Sequence, residues 1–207
     1  MSEVIELLMQ GGWPMIPLGL CSVAGLAVIL ERAIALRHNR NVPEVIVDLL
    51  GLYQGEASVE SSFEVCRNHE SPFARIVQVL IHARHLDHAQ IIELLHSNGR
   101  KEVEKLERGL LLLEVIAGVS PLIGLLGTVL GMVTVFDAIT EFGLGDTQIL
   151  SDGISKALVT TVAGLSVAIP ALAFHSFFSK KADSIAIEMQ ELSVGFLTKL
   201  IRFQKTD

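Results

Sequence analysis

Three stretches of the chain, Leu7 to Leu30, Val115 to Phe136 and Ala157 to Ser179, hold no Asp, Glu, Lys or Arg over 24, 22 and 23 residues. A bilayer core about 30 Å thick takes roughly 20 residues of helix, and inside it every backbone N–H and C=O must find its partner within the segment. Runs of this length therefore point to membrane helices. Half of the 207 residues are hydrophobic and only 19% are charged, but it is the concentration of the apolar residues into three blocks that sets the class. The reading is an all-α membrane protein with three transmembrane helices and long cytoplasmic helical extensions.

Lys and Arg near the span ends set the orientation. Only Glu3 and Glu6 precede the first span, whereas Arg32, Arg37 and Arg40 follow it. Arg100, Lys101, Lys105 and Arg108 precede the second, and Lys180 and Lys181 follow the third. Between spans two and three stand Asp137, Glu141, Asp146 and Asp152 against Lys156 alone. All four regions put the N-terminus outside and the C-terminus in the cytoplasm. The leader "MSEVIELLMQ" is acidic, unlike a secretory signal, so the first span is expected to stay in the mature protein.

The expected division is an outer interfacial helix (1–12), span one (13–36), a cytoplasmic helical region (37–108), span two (109–138), an outer loop (139–156), span three (157–179) and a cytoplasmic C-terminal helix (180–207). Trp13, in "GGWP", stands where an interfacial aromatic belongs. In the polar region "VPEVIVDLLGLY", "ASVESSFEVCRNH" and "SPFARIVQVLIHARH" carry helical patterning, with Ser58 and Asp87 as candidate N-caps. No proline lies between Asp87 and Pro121. The expectation is one long helix, interrupted at most near Gly99, that becomes span two; Asp87 to Thr140 would measure roughly 80 Å.

Neither a phosphate loop nor a recognisable nucleophile–base set appears, so no enzyme activity and no cofactor are expected. His82, His85 and His88 have helical spacing but no acidic or Cys ligand to complete a metal set, and they read as polar surface. A net charge of −7 without a basic cluster gives no sign of nucleic-acid binding, and no nucleic-acid partner is expected. Cys21 lies in span one and Cys66 in the cytoplasmic region, so no disulfide is expected. His175 sits about one turn from the inner border, where water or headgroups can reach it.

What distinguishes spans two and three is small and hydroxylated residues. Gly124, Gly127 and Gly131 in span two, and Ala163, Gly164 and Ala168 in span three, let helix backbones approach closely. Thr128, Thr134, Thr160 and Thr161 place hydroxyls at membrane depth and suggest a polar seam shared by the two spans. A threonine can also satisfy itself on the carbonyl one turn back, which leaves packing and function both open. No carboxylate lies within any of the three uncharged stretches. If protons move here, another chain brings the acid.

"SPLIGLLGTVLGMVTVF" (Ser120 to Phe136) and "GISKALVTTVAGLSVAIPALAFHSFF" (Gly153 to Phe178) resemble the two signature segments of the MotA/TolQ/ExbB proton-channel family, and "ERAIALR" after span one resembles its counterpart there. Three spans suit the ExbB and TolQ branch. The resemblance implies a homo-pentamer in the bacterial inner membrane, its helices enclosing a central pore, with residues 139–156 in the periplasm. Within the pore would stand the membrane helices of a single-span ExbD/TolR-like subunit carrying the membrane Asp. Proton-motive force would then drive work on the envelope through a TonB-like or TolA-like transducer. Position by position, Thr128 and Thr161 match the family's pore threonines, Thr160 is a secondary candidate, and Pro121 and Pro170 match positions where its helices bend. The glycines would be close-packing positions between subunits. Lys156 departs from the ExbB pattern, which has a glutamate there, and reverses the charge at the outer mouth. Two other readings stay open: a passive helical scaffold whose threonines only pack, and an independent ion channel or transporter.

Overall fold

The computed structural model describes residues 12–52, 59–142 and 147–204. Among them the chain is helical, with no strand. The elements are α1 (Met15–Ala35), α2 (His38–Asn41), α3 (Glu44–Gly51), α4 (Val59–Arg67), α5 (Pro72–His82), a 3₁₀ turn (Ala83–His85), α6 (His88–Glu107), α7 (Leu110–Phe142) and α8 (Thr147–Gln204). Three of them, α1, α7 and α8, are long and apolar enough to cross a membrane. The expected outer helix and the Ser58 cap fall outside the described residues.

Two compact units divide the chain. The first comprises Met1–Glu31 and Gly109–Phe177, the second Arg32–Arg108 and Phe178–Asp207. In the first unit each helix buries one narrow stripe, such as Leu113, Ile116, Ser120 and Val135 of α7. The remaining apolar side chains, among them Leu122, Leu125, Val129, Val133 and Phe136, are exposed. A large exposed apolar surface marks lipid or a partner helix.

The second unit is built around α5. Ser71 caps it by accepting from Ala74 N at 3.1 Å, and Pro72 occupies the first turn, where a missing N–H costs nothing. Phe73, Ile76, Val77, Leu80 and Ile81 are all buried against α4 and α6, each contributing about 1.5–3 kcal/mol of apolar burial. Two cations close helix C-termini in this unit. Arg32 Nη1 donates to the carbonyls of Leu106 (3.3 Å) and Lys105 (3.5 Å) at the end of α6. Lys199 Nζ donates to Leu50 and Gly51 at the end of α3, 2.9 Å each. Both supply donors to carbonyls that the helix leaves open and complement its negative pole.

The single long helix expected from Asp87 through span two is replaced by two. Asp87 caps α6 in a capping box with Gln90, and Gly99 lies within that helix without interrupting it. The break comes at Arg108, extended at ψ 129°, and Gly109, whose φ of +87° is the left-handed conformation that glycine adopts without penalty. The expected loop 139–156 is also largely helical, since α7 reaches Phe142 and α8 begins at Thr147. Charge decides which medium a residue prefers, whereas ending a helix takes a backbone reason, and no proline lies there.

Cys66 on α4 is fully buried, and burial pushes its thiol up to about 11. At pH 8 the thiolate fraction is then on the order of one in a thousand. In the folded protein, Cys66 is expected to resist maleimide labelling at pH 8 and to react on denaturation, read by mass spectrometry of a Cys21→Ser variant.

Candidate functional site

In the first unit α7 and α8 run antiparallel and approach through small residues. A Cβ added at Gly124 would lie 2.9 Å from the Thr160 carbonyl oxygen and 3.1 Å from Thr161 Cα. At Gly127 it would meet Thr160 Cβ at 2.6 Å, and at Gly131 it would meet Ala157 Cβ at 2.8 Å. At Gly164 it would lie 2.6 Å from the Ser120 carbonyl oxygen. These spacings leave no room for a methyl group, and the two backbones are in contact. The glycines anticipated as contacts between subunits therefore pack within one chain. Ala168 joins the buried stripe of α8 with Ala157, Thr160 and Ala171, while Ala163 is half-buried. Gly153, which sequence reasoning passed over, belongs to the same seam, where an added Cβ would collide with Val135.

Three hydroxyls converge on this seam. Thr160, 1% exposed, donates to Ala157 O at 2.7 Å and lies 3.4 Å from the Gly124 carbonyl. Thr161 Oγ1 lies 3.3 Å from that same carbonyl and 3.4 Å from Thr128 Oγ1. Thr128 commits its one proton to Leu125 O at 2.6 Å, so its oxygen is left to accept from Thr161. Contacts of 3.3–3.4 Å are longer than the usual 2.5–3.0 Å of an O–H···O bond, so a stronger acceptor can claim the Thr161 proton. Thr128 and Thr161 are half-buried on one rim, and Thr160 is sealed inside.

Thr134 does not join them. It is exposed and donates to its own helix, with Leu130 O at 2.8 Å and Gly131 O at 3.1 Å. Pro121 and Pro170 lie inside α7 and α8, which continue through both; each ring removes the donor for the carbonyl four residues back. Lys156 is exposed on α8. The histidines fall on three elements: His82 ends α5, His85 ends the 3₁₀ turn and His88 opens α6. Among the described residues no group of three or more His, Cys, Asp or Glu is placed to hold a metal.

Two features went unassigned in the sequence reading. Ser120 is fully buried, and its Oγ has no hydrogen-bond partner among the described residues. The register Ser120, Gly124, Thr128, at steps of four, was the signal available for it. In the second unit Glu102 is buried on α6. Its Oε2 accepts from Arg75 Nε at 3.0 Å and Nη2 at 2.5 Å, and its Oε1 accepts from Lys105 Nζ at 2.7 Å. Burial alone would raise this carboxyl, but the two cations outweigh it and hold the group below its ordinary value.

Comparison with known proteins matches residues 68–191 to the MotA/TolQ/ExbB proton channel family. A Synechocystis protein described as ExbB-like 3, a biopolymer transport protein, is 37% identical over 183 residues, covering 82% of each chain. Another from the same organism, ExbB-like 1, is 33% identical over 205 residues, 93% of this chain and 78% of that protein. The Tol-Pal system protein TolQ of Haemophilus influenzae is 35% identical over 102 residues, 49% of this chain and 45% of its own length. Three apolar helices, a hydroxyl-bearing seam between two of them, and matches that run through most of the chain converge on one assignment: the protein belongs to the MotA/TolQ/ExbB proton channel family.

Proposed function

We propose that the chain is the proton-channel subunit of an inner-membrane motor of the ExbB/TolQ type. It assembles as a homo-pentamer around a single-span ExbD/TolR-like subunit and uses proton-motive force to do mechanical work on the envelope through a TonB-like or TolA-like transducer. The N-terminus is periplasmic, and the second unit forms the cytoplasmic extension. The observation that carries this reading is the Thr128–Thr161 pair, a tightly bonded hydroxyl and a loosely bonded one on one rim of the α7–α8 seam, in stretches (115–136 and 157–179) without a carboxylate of their own. Hydroxyls both donate and accept, so they can pass a proton to and from an acid that a partner helix brings. Thr160, sealed inside the seam, braces it. Pro121 and Pro170 weaken the helices one turn before each proline, where a bend can form. Per proton, a potential of 100 mV supplies about 2.3 kcal/mol, enough for small conformational steps.

Thr161→Val keeps the shape and removes the hydroxyl. Expressed with the cognate single-span subunit, it is expected to abolish partner-dependent work while membrane level and subunit count, read by native mass spectrometry, stay at wild-type values. Normal work by this variant would overturn the pore assignment and leave a packing role. Proton flux through the purified chain without any partner would point to an independent channel instead.

A further inference from the structure

Cations of the second unit differ in what they hold. Arg32, Arg75, Lys105 and Lys199 each donate to a carbonyl or a carboxylate of the chain. The side chains of Arg37, Arg40, Lys180 and Lys181 have no hydrogen bond or ion pair among the described residues. These four stand where spans end: Arg37 comes two residues after α1, and Lys181 two residues after the uncharged stretch that closes at Ser179. One contact brings them to a common corner. His38 Nδ1 lies 3.4 Å from Glu188 Oε2, so α2 meets α8 on the Glu188 face. Seven residues make close to two turns, which puts Lys181 on that same face about 10 Å nearer the span. Arg37 directly precedes His38. Few acids neutralise this corner. Residues 32–43 hold no Asp or Glu, Glu188 is turned to His38, and Asp183, about 200° around α8 from Lys181, lines a groove against α6. Both cations also end an exposed apolar strip. Along α8, Phe174, Phe177 and Lys181 follow at steps of three and four, and Leu30 and Ile34 of α1 lead to Arg37.

We propose that this corner binds the phosphate of an anionic phospholipid, whose acyl chains lie on the apolar strips. The inference goes beyond the channel reading and is independent of it, since it needs the apolar helices in a bilayer but no proton path. Arg37 and Lys181 hold the phosphate from two elements, and Arg40 and Lys180 add to the positive potential around it. A lipid seated there ties the α1–α2 corner to α8 beside the His38–Glu188 contact.

The test is native mass spectrometry and thermal melting of the intact assembly, stripped of lipid and offered mixed micelles of phosphatidylglycerol and phosphatidylcholine. Wild type is expected to retain phosphatidylglycerol in preference and to melt higher with it. Combining Arg37→Gln with Lys181→Gln should lower that preference about thirtyfold, the effect of two charges at about 1 kcal/mol each, with the subunit count unchanged. Each single variant should lose about fivefold, which keeps the result readable if the double variant does not assemble. Arg100→Gln with Lys101→Gln, two exposed cations of α6 about two turns further from the span, should keep the wild-type preference. Equal retention of the two lipids by wild type overturns the proposal. So does an equal loss in the α6 control, which would mean a diffuse surface charge. Inorganic phosphate that raises the melting temperature as much as phosphatidylglycerol would also overturn it, in favour of a free-anion site. Thr161→Val should leave the lipid preference intact whatever it does to partner-dependent work, so the two readings stand or fall separately.

Discussion

Gly164→Ala is expected to destabilise the protein by about 2 kcal/mol and to impair its function with it. The added methyl would sit 2.6 Å from the Ser120 carbonyl oxygen and 3.1 Å from Gly124 Cα. Both are backbone atoms and cannot rotate away. The two helices would have to separate, an overpacking cost of up to about 3 kcal/mol, offset by about 1 kcal/mol of improved helix propensity. Separation would also pull Thr161 away from Gly124 and Thr128, which are already at the limit of hydrogen-bond reach. Gly195→Ala is the matched control. An added Cβ there meets nothing within 4 Å, so this variant should melt at or above the wild-type temperature. At Gly127 all three nearest atoms belong to the Thr160 side chain, so there the obstacle can be removed. Gly127→Ala should lose stability alone and recover much of it when combined with Thr160→Gly, a coupling that thermal melting of the two single variants and the pair would measure.

Removing the buried carboxylate of the second unit is the other large effect. Glu102→Ala is expected to cost about 2–3 kcal/mol, between the near-zero value of a surface ion pair and the 3–5 kcal/mol of a fully buried one. The intermediate figure follows from the exposures: the Glu102 side chain is 8% exposed, but those of Arg75 and Lys105 are 40% and 57% exposed. Once the carboxylate is gone, water can take over part of the solvation of both cations. The pH dependence has a definite sign. Because the folded carboxyl is held below its ordinary value of 4.5, its contribution is complete above that value and disappears as pH falls through the depressed folded pKa. The gap in melting temperature between wild type and Glu102→Gln should therefore be widest near neutrality and narrow below pH 4.5. A gap that does not change with pH would mean that Glu102 acts through shape and hydrogen bonding and not through charge.

The family, the number of spans and the hydroxyl pair could all be read from residue order. Uncharged runs of more than 20 residues leave the backbone few options in lipid, and threonines in two such runs point to a shared polar seam, where Thr128 and Thr161 lie 3.4 Å apart. The same reading overextended one helix. Gly109 follows Lys105 and Arg108, basic residues near a helix end and a glycine just beyond it, which together form a stop signal. Glu102 was missed for a different reason. Patterning assigns every charged residue to the surface, and only the approach of α5, which brings Arg75 against α6, makes a buried carboxylate tolerable.

Length and the absence of charge therefore determined that α1, α7 and α8 are long and apolar enough to cross a membrane, because the requirement to satisfy backbone polar groups in lipid acts on each segment alone. Which face of each helix meets its neighbour was decided only in the tertiary structure. A helix that is apolar all round has no preferred side by hydrophobicity, and lipid solvates one face as well as another. The facing residues were selected by how closely two backbones can approach. Gly124, Gly127 and Gly131 opposite Ala157, Thr160 and Gly164 allow that approach, and it is the approach that brings Thr128 and Thr161 to one rim.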